Sequence, residues 1–324
     1  MVTIADVEAA ARRLDGVAVE TPLFGHEVLD ECAGGRVLLK AECLQRTGSF
    51  KIRGAYNRLA RLSPSEAARG VVAWSSGNHA QGVASAARLL GIHAAIVMPG
   101  DAPRAKLDNT RRLGGEVITY DRLSGDREAI AREIASTRAA ALVPSYDHED
   151  VIAGQGTVGT EIVAQATALG CVADQVLVCC SGGGLTAGIA VAVKASWPAC
   201  GIVAVEPEAF DDTARSLAAG RRESVPPGAA SICDALQTAT PGELTFPINL
   251  ALGVTAVTVS DAEVREAMRF AFRHLKLVVE PGGAAALAAV LAGKAATAGR
   301  TSVVVLSGGN VDPEFYGAVQ AELA

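Results

Sequence analysis

Short runs of β-branched and aliphatic residues alternate with longer alanine-rich stretches along almost the whole chain, and this alternation restricts the possible folds more than any other feature. The short runs predict strands at residues 36–40, 70–74, 94–98, 116–120, 140–143, 175–180, 201–206, 254–259 and 301–306. The stretches with helical spacing include 78–90, 103–113, 126–136, 185–195 and 261–274. Apolar strands that are each followed by a helix are typical of parallel sheets covered on both faces. The sequence therefore predicts an open, doubly wound α/β fold.

Bulk composition excludes several classes of protein. The 324 residues correspond to roughly two domains of about 150 residues, and a hydrophobic fraction of 50% is ample for a folded core. A formal net charge of -6 argues against a nucleic-acid partner, which requires a basic surface. No apolar run approaches the ~20 residues of a membrane span, and the N-terminus does not have the pattern of a signal peptide. Seven cysteines without C-x-x-C spacing favour reduced thiols over a zinc site, so we expect a cytoplasmic protein.

The predicted strand at 175–180 runs directly into a serine, three consecutive glycines and a helix. Backbone N–H groups at such a helix start approach an anion closely, and the helix dipole adds roughly half a positive charge there. Residues 181–185, here called the phosphate loop, therefore have the form of a phosphate cradle, although they match neither a Walker A loop nor a dinucleotide fingerprint. A tight strand-to-helix turn is the alternative interpretation.

Two further polar loops follow predicted strands. Residues 75–78 (Ser-Ser-Gly-Asn), here called the substrate loop, open a helix and suit a carboxylate, although one Ser or Asn there would serve as an ordinary helix cap. Residues 307–310 (Ser-Gly-Gly-Asn) end a buried strand. Ligands bind at the carboxyl edge of the sheet in such folds, so this segment is also a candidate ligand-binding loop.

A lysine stands early in the helix after the first predicted strand. Lys51 follows Phe50 in residues 47–54 (Thr-Gly-Ser-Phe-Lys-Ile-Arg-Gly). A cation near a helix N-terminus is electrostatically disfavoured, which lowers its pKa. A lysine with a lowered pKa is a candidate Schiff-base nucleophile. From this segment alone, a solvent-facing lysine is the alternative.

Four motifs occur in a fixed order, at residues 49–54, 75–79, 181–185 and 307–310. In this combination the chain resembles the fold-type II pyridoxal-phosphate enzymes, and within them the serine/threonine dehydratase and serine racemase branch. The resemblance implies two open parallel-sheet domains of the tryptophan synthase beta-like kind. Residues 1–70 and 148–324 would form a large domain, and residues 71–147 a small mobile one, with the cofactor between them. A homodimer is implied by the resemblance only.

The resemblance also implies roles for individual residues. Lys51 would form the Schiff base with pyridoxal 5′-phosphate and take the Cα proton of the substrate. The other residues implied to contact the cofactor are Phe50 at the ring, Asn78 at the 3′-hydroxyl, Ser307 at the ring nitrogen, and Gly182, Gly183, Gly184 and Leu185 at the phosphate. The substrate carboxylate would be bound by Ser75, Ser76, Asn78 and His79. Ser181 replaces a glycine usual in the family, and we expect its hydroxyl to donate to the phosphate.

A serine at the ring nitrogen favours one class of reaction. It does not hold that nitrogen protonated as a carboxylate would, so prompt loss of a β-leaving group is favoured over a long-lived carbanion. The expected activity is a dehydratase (ammonia-lyase) that converts threonine, serine or 3-hydroxyaspartate to a 2-oxo acid and ammonia. Ser76, where many threonine dehydratases have alanine, resembles the second base of racemases, so an amino-acid racemase with dehydratase side activity is the second hypothesis. A non-catalytic protein that binds a phosphate ligand is the third.

Two features bear on metal and substrate. Residues 205–212 resemble the divalent-cation site of the racemase-like branch, with Glu206, the Phe210 carbonyl and Asp212 as ligands for Mg2+ or Ca2+. An acidic loop with a helix cap is the alternative there. Arg127, in a helix of the small domain, is a candidate for binding a second substrate carboxylate, which would favour hydroxyaspartate, and a surface arginine is the alternative. Because little chain follows Asn310, we expect no regulatory domain of the kind that allosteric threonine dehydratases carry.

Overall fold

The computed structural model of the chain describes residues 1–75, 77–102, 104–121 and 125–322. Within these residues the strands form two sheets, one of six strands and one of four. Every strand pair is parallel except one pair at the edge of the larger sheet. The predicted α/β class with parallel sheets is therefore confirmed.

The six-stranded sheet has the strand order β1-β2-β10-β7-β8-β9. Its strands are β1 (Leu23–Gly25), β2 (Arg36–Lys40), β7 (Gln175–Cys179), β8 (Gly201–Pro207), β9 (Thr255–Val259) and β10 (Thr301–Val305). Only the edge strand β1 runs antiparallel to its neighbour β2. β1 was not predicted, because three residues are too few to show a periodicity.

The four-stranded sheet has the order β5-β4-β3-β6 and is parallel throughout. Its strands are β3 (Val71–Trp74), β4 (Ala94–Pro99), β5 (Glu116–Tyr120) and β6 (Ala141–Leu142). With these four, all nine predicted strands are present, and their ends differ from the prediction by no more than one residue. That this sheet moves as a separate domain of residues 71–147 stays a prediction.

Helices connect the parallel strands and cover both sheets. They are α1 (Ile4–Leu14), α2 (Glu27–Ala33), α3 (Lys51–Leu59), α4 (Pro64–Arg69), α5 (Asn78–Leu90), α6 (Arg104–Arg112), α7 (Arg127–Arg138), α8 (Glu149–Ala168), α9 (Gly184–Ser196), α10 (Asp212–Ala219), α11 (Thr245–Ala251), α12 (Asp261–Phe270), α13 (Pro281–Leu291) and α14 (Pro313–Ala321). The predicted helix at 261–274 continues past α12 into a π-helical turn at Ala271–Leu275. Among the described residues, no helix combines the length and apolarity that crossing a bilayer requires.

Helices α3, α8 and α9 meet through glycine backbones. A Cβ at Gly154 would lie 2.5 Å from the Arg53 carbonyl oxygen, and one at Gly156 would lie 2.8 Å from the Gly188 carbonyl oxygen. Contacts this close leave no room for a side chain at either position. Because α3 begins at Lys51 and α9 begins inside the phosphate loop, α8 fixes the two segments relative to each other.

A buried ion-pair network also anchors the start of α3. The Arg53 guanidinium donates to both carboxylate oxygens of Glu42 at 2.8 Å and to Glu161 at 2.6 Å. Lys40, on β2, donates to the other oxygen of Glu161 at 2.5 Å. Removing one partner of such a buried pair typically costs about 3–5 kcal/mol, because the remaining charge loses its counterion. Since Arg53 lies two residues after Lys51, the network holds the lysine in place.

Candidate active site

A cavity of about 870 Å³ lies where the two sheets present the ends of their strands. It is lined by residues just after β3, β7 and β10, which places the described residues of the substrate loop, the phosphate loop and Ser307 around one space. Lys51 and Phe50, from the start of α3, also line it. The structure therefore brings together the described residues that the sequence assigned to cofactor and substrate.

The phosphate loop turns its carbonyl oxygens toward α11. The Gly182 carbonyl accepts from the Thr245 hydroxyl at 2.6 Å, and the Gly183 carbonyl accepts from the Asn249 amide at 3.4 Å. Gly183 has a φ of 90°, which favours glycine. The first N–H groups of α9 have no acceptor within the helix and are free to bind an anion.

Unpartnered polar atoms around this loop test whether a phosphate fits. The Thr186 hydroxyl lines the cavity and has no hydrogen-bond partner among the described residues, although Thr186 is fully buried. Gln155 presents an unpartnered amide oxygen, and a Cβ at Gly184 would lie 2.7 Å from it. Buried polar groups normally have partners. The exposed helix amides, the glycine cradle and the free hydroxyl fit a phosphorylated cofactor, and they would hold it by its phosphate.

Ser181 differs from what the sequence suggested. Its hydroxyl donates to the Thr238 hydroxyl at 2.7 Å and accepts from the Thr238 N–H at 3.2 Å. The hydroxyl hydrogen is thus used within the protein and does not point to a phosphate, so the expectation of an extra phosphate donor is wrong in this arrangement. Ser181 instead ties the phosphate loop to the segment around Thr238.

Lys51 has the chemical state expected of a nucleophilic amine. Its Nζ donates to the Ser145 carbonyl at 3.0 Å and lies 5.0 Å from the centre of the Phe50 ring. Burial lowers the pKa of Lys51 to about 8, and the carboxyl of Glu280 offsets part of this effect. The predicted direction of the pKa shift agrees, and desolvation is its main cause.

The substrate loop leads from β3 into α5. The Ser75 hydroxyl accepts from the Gly77 N–H at 3.1 Å, and Asn78 is the first residue of α5. Ser76, predicted as a second base and a substrate-binding residue, lies outside the described residues. Ser75 and Asn78 remain the described candidates for binding the substrate carboxylate.

His79 is buried beneath the substrate loop. Its Nε2 lies 2.8 Å from the Val143 carbonyl oxygen, which can only accept, so Nε2 carries the hydrogen. Burial lowers the pKa of His79 to about 3, with a smaller contribution from Lys51, so the ring is neutral. In this geometry Nδ1 has no hydrogen to give a substrate carboxylate. The ring instead ties the start of α5 to the segment that leaves β6.

Ser307 and Phe50 are placed by the third loop. Ser307 follows β10 and lines the cavity, and its carbonyl accepts from the Phe50 N–H at 3.2 Å. Gly308 forms an isolated antiparallel bridge with Ser49. The third loop and the start of α3 therefore share main-chain hydrogen bonds, which set the ring-facing residues side by side.

Glu280 was not identified from the sequence. It is 3% exposed, lines the cavity, and accepts a hydrogen bond from the Asn78 amide at 2.5 Å. The side-chain oxygen Oδ1 of Asn78 accepts in turn from the Asn310 side-chain amide at 2.7 Å. Burial raises the pKa of Glu280 to about 8, and Asp234 adds to the shift. The sequence pattern that could have identified Glu280 is weak: it is a single acidic residue between an apolar run and Pro281, which begins a helix.

The predicted metal ligands lie between β8 and α10. Both Glu206 carboxylate oxygens accept backbone N–H groups of α10 at 2.9 Å. Asp212 is fully buried, and neither of its carboxylate oxygens has a partner among the described residues. Burial raises the pKa of Glu206 to about 7 and that of Asp212 to about 8. The described part of the chain contains no cluster of three His, Cys, Asp or Glu ligands, so a cation here would need main-chain oxygens such as that of Phe210.

Four further cations line the cavity, namely Lys106, Arg127, Arg132 and Arg222. Three of them are paired with carboxylates: Lys106 with Asp234, Arg132 with Glu128, and Arg222 with Glu243. Arg127, at the start of α7, is exposed, as the surface-arginine alternative expects, and forms no ion pair with the described carboxylates. Among the described residues that line the cavity, Arg127 is therefore the candidate for binding a second substrate carboxylate.

Comparisons with known proteins show which family the chain matches. The model for the family described as pyridoxal-phosphate dependent enzyme matches residues 15–308. An L-threo-3-hydroxyaspartate ammonia-lyase of Pseudomonas sp is 46% identical over 97% of this chain and 97% of that protein. A serine racemase of Schizosaccharomyces pombe is 39% identical over 97% of this chain and 96% of that protein. The solved structure of a maize serine racemase matches with a TM-score of 0.92 at 36% identity, covering 98% of this chain and 96% of that one.

Proposed function

Because the chain belongs to the family of pyridoxal-phosphate dependent enzymes and is an ammonia-lyase of small L-3-hydroxy amino acids, we propose that its preferred substrate is L-threo-3-hydroxyaspartate. The observation that carries this preference is Arg127, a cavity-lining cation that has no carboxylate partner among the described residues. A guanidinium binds a carboxylate with two parallel hydrogen bonds, which threonine and serine side chains do not offer. The hydroxyaspartate ammonia-lyase at 46% identity supports the same substrate.

The protein supplies the binding and proton-transfer groups of the reaction. When bound, pyridoxal phosphate supplies an electrophilic carbonyl for amines and a conjugated ring that withdraws electrons from the substrate Cα. The phosphate loop would hold its phosphate, with Phe50, Asn78 and Ser307 beside the ring. A hydroxyl at Ser307 in place of a carboxylate favours prompt loss of the β-hydroxyl.

Lys51 is the proposed base. Its pKa of about 8 leaves an appreciable neutral fraction near physiological pH, which is the form that takes a proton from Cα. Departure of the β-hydroxyl then leads to the 2-oxo acid and ammonia. Ser75 and Asn78 would hold the α-carboxylate while Arg127 holds the β-carboxylate. The two carboxylates would thus fix the Cα–H bond relative to Nζ.

Substrate preference is tested by comparing kcat/KM for L-threo-3-hydroxyaspartate, L-threonine and L-serine. Arg127→Met should lower kcat/KM for hydroxyaspartate roughly 10- to 100-fold, the effect of losing a charge-assisted hydrogen bond worth about 1.5–3 kcal/mol. It should change the value for threonine less than about 2-fold. Arg138→Met, in the same helix but paired with Glu116 outside the cavity, is the matched control. A wild-type enzyme that prefers threonine, or an Arg127 variant that loses both substrates equally, would contradict the proposal.

Racemisation is the second candidate function. It rests on Ser76, which would act as a base on the opposite face of the substrate, and the serine racemase relative supports it. Ser76→Ala should abolish racemisation and elimination from D-substrates while leaving elimination from L-substrates largely intact. Chiral analysis of the amino-acid pool measures this, and unchanged racemisation in the variant would exclude the role.

We further propose a Mg2+ or Ca2+ site at Glu206, Phe210 and Asp212, a homodimeric assembly and a cytoplasmic location. The two unpartnered oxygens of the buried Asp212 support the cation, because hard carboxylate and carbonyl oxygens are its preferred ligands. The cation would stabilise the fold without taking part in the chemistry. Added Mg2+ should raise the Tm of chelator-treated protein, and an Asp212→Asn variant should not respond.

A further inference from the structure

Residues 144–147, here called the bridging segment, lead from the four-stranded sheet to α8 and touch both ends of the cofactor site. The Ser145 carbonyl accepts from Lys51 Nζ at 3.0 Å. The Tyr146 ring lies against Gly182, where a Cβ would overlap it. Asp147, the last residue of the segment, reaches past the phosphate loop to α11. One short segment thus contacts the lysine, the phosphate loop and the helix behind that loop.

Asp147 is hydrogen-bonded to the start of α11 through both carboxylate oxygens. One oxygen accepts from the Glu243 N–H at 2.9 Å, and the other accepts from the N–H groups of Leu244 at 2.8 Å and Thr245 at 3.3 Å. A Cβ at Gly242 would overlap the same carboxylate, so only glycine permits this approach. Amides at a helix start have no intrahelical acceptor, and a carboxylate there is a strong, charge-assisted partner.

The start of α11 in turn holds the phosphate loop. The Gly182 carbonyl accepts from the Thr245 hydroxyl at 2.6 Å and from the Gly242 N–H at 3.2 Å. The Asn249 amide donates to the Gly183 carbonyl. In a trans peptide the N–H points opposite to the carbonyl, so fixing the Gly182 carbonyl toward α11 turns the Gly183 N–H the other way. The Gly183 carbonyl also accepts from the Ala187 N–H of α9 at 2.9 Å, so α9 itself sets the direction of the Gly184 N–H.

We propose that Asp147 is a positioning residue for the cofactor phosphate. It orients the phosphate loop through Thr245 and Gly242 and does not itself bind the phosphate. Asp147 thus contributes to binding of the cofactor phosphate and not to binding of the cofactor ring. This role distinguishes it from a residue that merely stabilises the fold, because it predicts a loss of affinity that depends on the phosphate.

The test compares two ligands that differ only in that group. Apo-protein is titrated with pyridoxal 5′-phosphate and with pyridoxal, and binding is followed by intrinsic fluorescence and visible absorption. Asp147→Ala should weaken pyridoxal 5′-phosphate binding roughly 10- to 50-fold and pyridoxal binding less than about 3-fold, since only the former uses the oriented amides. Asp312→Ala is the matched control, because Asp312 caps α14 through the N–H groups of Glu314 and Phe315 away from the cavity.

Variants of Thr245 keep the proposal testable where Asp147→Ala does not fold. Thr245→Val removes the hydroxyl that holds the Gly182 carbonyl. It should reduce the ratio of pyridoxal 5′-phosphate affinity to pyridoxal affinity about 5-fold or more. Thr245→Ser keeps a hydroxyl and should keep the wild-type ratio. The proposal is overturned by an equal loss for both ligands or by unchanged binding of pyridoxal 5′-phosphate. Because no substrate is involved, these outcomes are independent of whether hydroxyaspartate is the preferred substrate.

Discussion

The phosphate loop and the substrate loop line the same cavity, yet the protein supports them differently. In the phosphate loop, side chains pack directly against the glycines: the Tyr146 ring against Gly182, and Thr245 and Asn249 against Gly183. In the substrate loop, a Cβ at Gly77 would meet no described residue within 4 Å. Among the described residues of that loop, Asn78 at its end is held on both sides, by hydrogen bonds to Glu280 and Asn310.

This difference matches what each loop is proposed to bind. A cofactor that stays through many turnovers is best held by a preformed set of amides, and bracing from behind keeps them oriented. A substrate arrives and leaves in every cycle, so its loop needs open space in front of it. The strongest support in the substrate loop falls on Asn78, the one residue of that loop also assigned to the cofactor.

Gly182→Ala should produce the largest effect, because its methyl group overlaps the Tyr146 ring. If overpacking of about 1–3 kcal/mol acts fully on binding, the affinity for pyridoxal 5′-phosphate falls roughly 5- to 150-fold. Fluorescence titration of apo-protein measures it. Gly317→Ala, in α14 with nothing within 4 Å, is the control and should leave affinity unchanged. An affinity within about 2-fold of the wild type would show that the phosphate loop is not braced as described.

Glu280→Gln should change how stability depends on pH, since the carboxyl that holds Asn78 has a pKa raised to about 8 by burial. Between the ordinary carboxyl pKa and 8, the unfolded chain loses this proton while the folded chain keeps it, so the wild-type apo-protein becomes less stable as pH rises. In Glu280→Gln, the free energy of unfolding should fall by roughly 1–3 kcal/mol less than in the wild type over this pH range.

Chemical denaturation of both apo-proteins at pH 5.5 and pH 8 measures this difference. Other groups near Glu280 are Lys51, Lys106, Asp234 and Asn78. They remain in both proteins, so the comparison reports the loss of the carboxyl together with its effect on the pKa of Lys51. Glu243→Gln, an exposed acid at the cavity rim, serves as the control. Identical pH dependence in the two proteins would contradict this prediction. It would mean that Glu280 is ionised at both pH values and that Asn78 donates to a charged carboxylate.

Gly77→Ala should give the smallest effect on cofactor affinity, because the added methyl group would contact none of the described residues within 4 Å. We expect an affinity for pyridoxal 5′-phosphate within about 2-fold of the wild type, and a raised KM, because the methyl group enters the space in front of the substrate loop. Steady-state kinetics and cofactor titration measure the two quantities. A loss of cofactor affinity comparable to that of Gly182→Ala would remove the distinction between the loops.

Local patterns in the sequence predicted most of the fold and the parts of the site that are contiguous. The strand ends were found within one residue because apolar runs and turn residues mark them directly. Residues 181–185 were predicted to bind a phosphate because three glycines stand between a strand and a helix, and the structure places them at the cavity. Pyridoxal-phosphate dependence was identified from the order of four such motifs, and the comparisons confirm it.

The residues that sequence reasoning missed act across long separations in the chain. Asn78 and Glu280 are 202 positions apart, and Asp147 and Leu244 are 97 apart. Neither acidic residue stands in a motif, so nothing local distinguishes it from a surface carboxylate. The state of Lys51 shows the same limit: its lowered pKa was predicted, but the main cause, burial by distant segments, was not.

The place of β10 in the larger sheet has a consequence for how the chain acquires its activity. This strand, at residues 301–305, lies between β2 and β7, although both precede it by more than a hundred residues. During synthesis β2 and β7 therefore cannot be joined into one sheet, and their apolar edges stay unpaired, until β10 has left the ribosome. Lys51 follows β2, the phosphate loop follows β7, and Ser307 follows β10. The complete cofactor site therefore forms only after β10 has been synthesised and has paired with β2 and β7, so the cofactor binds late in folding.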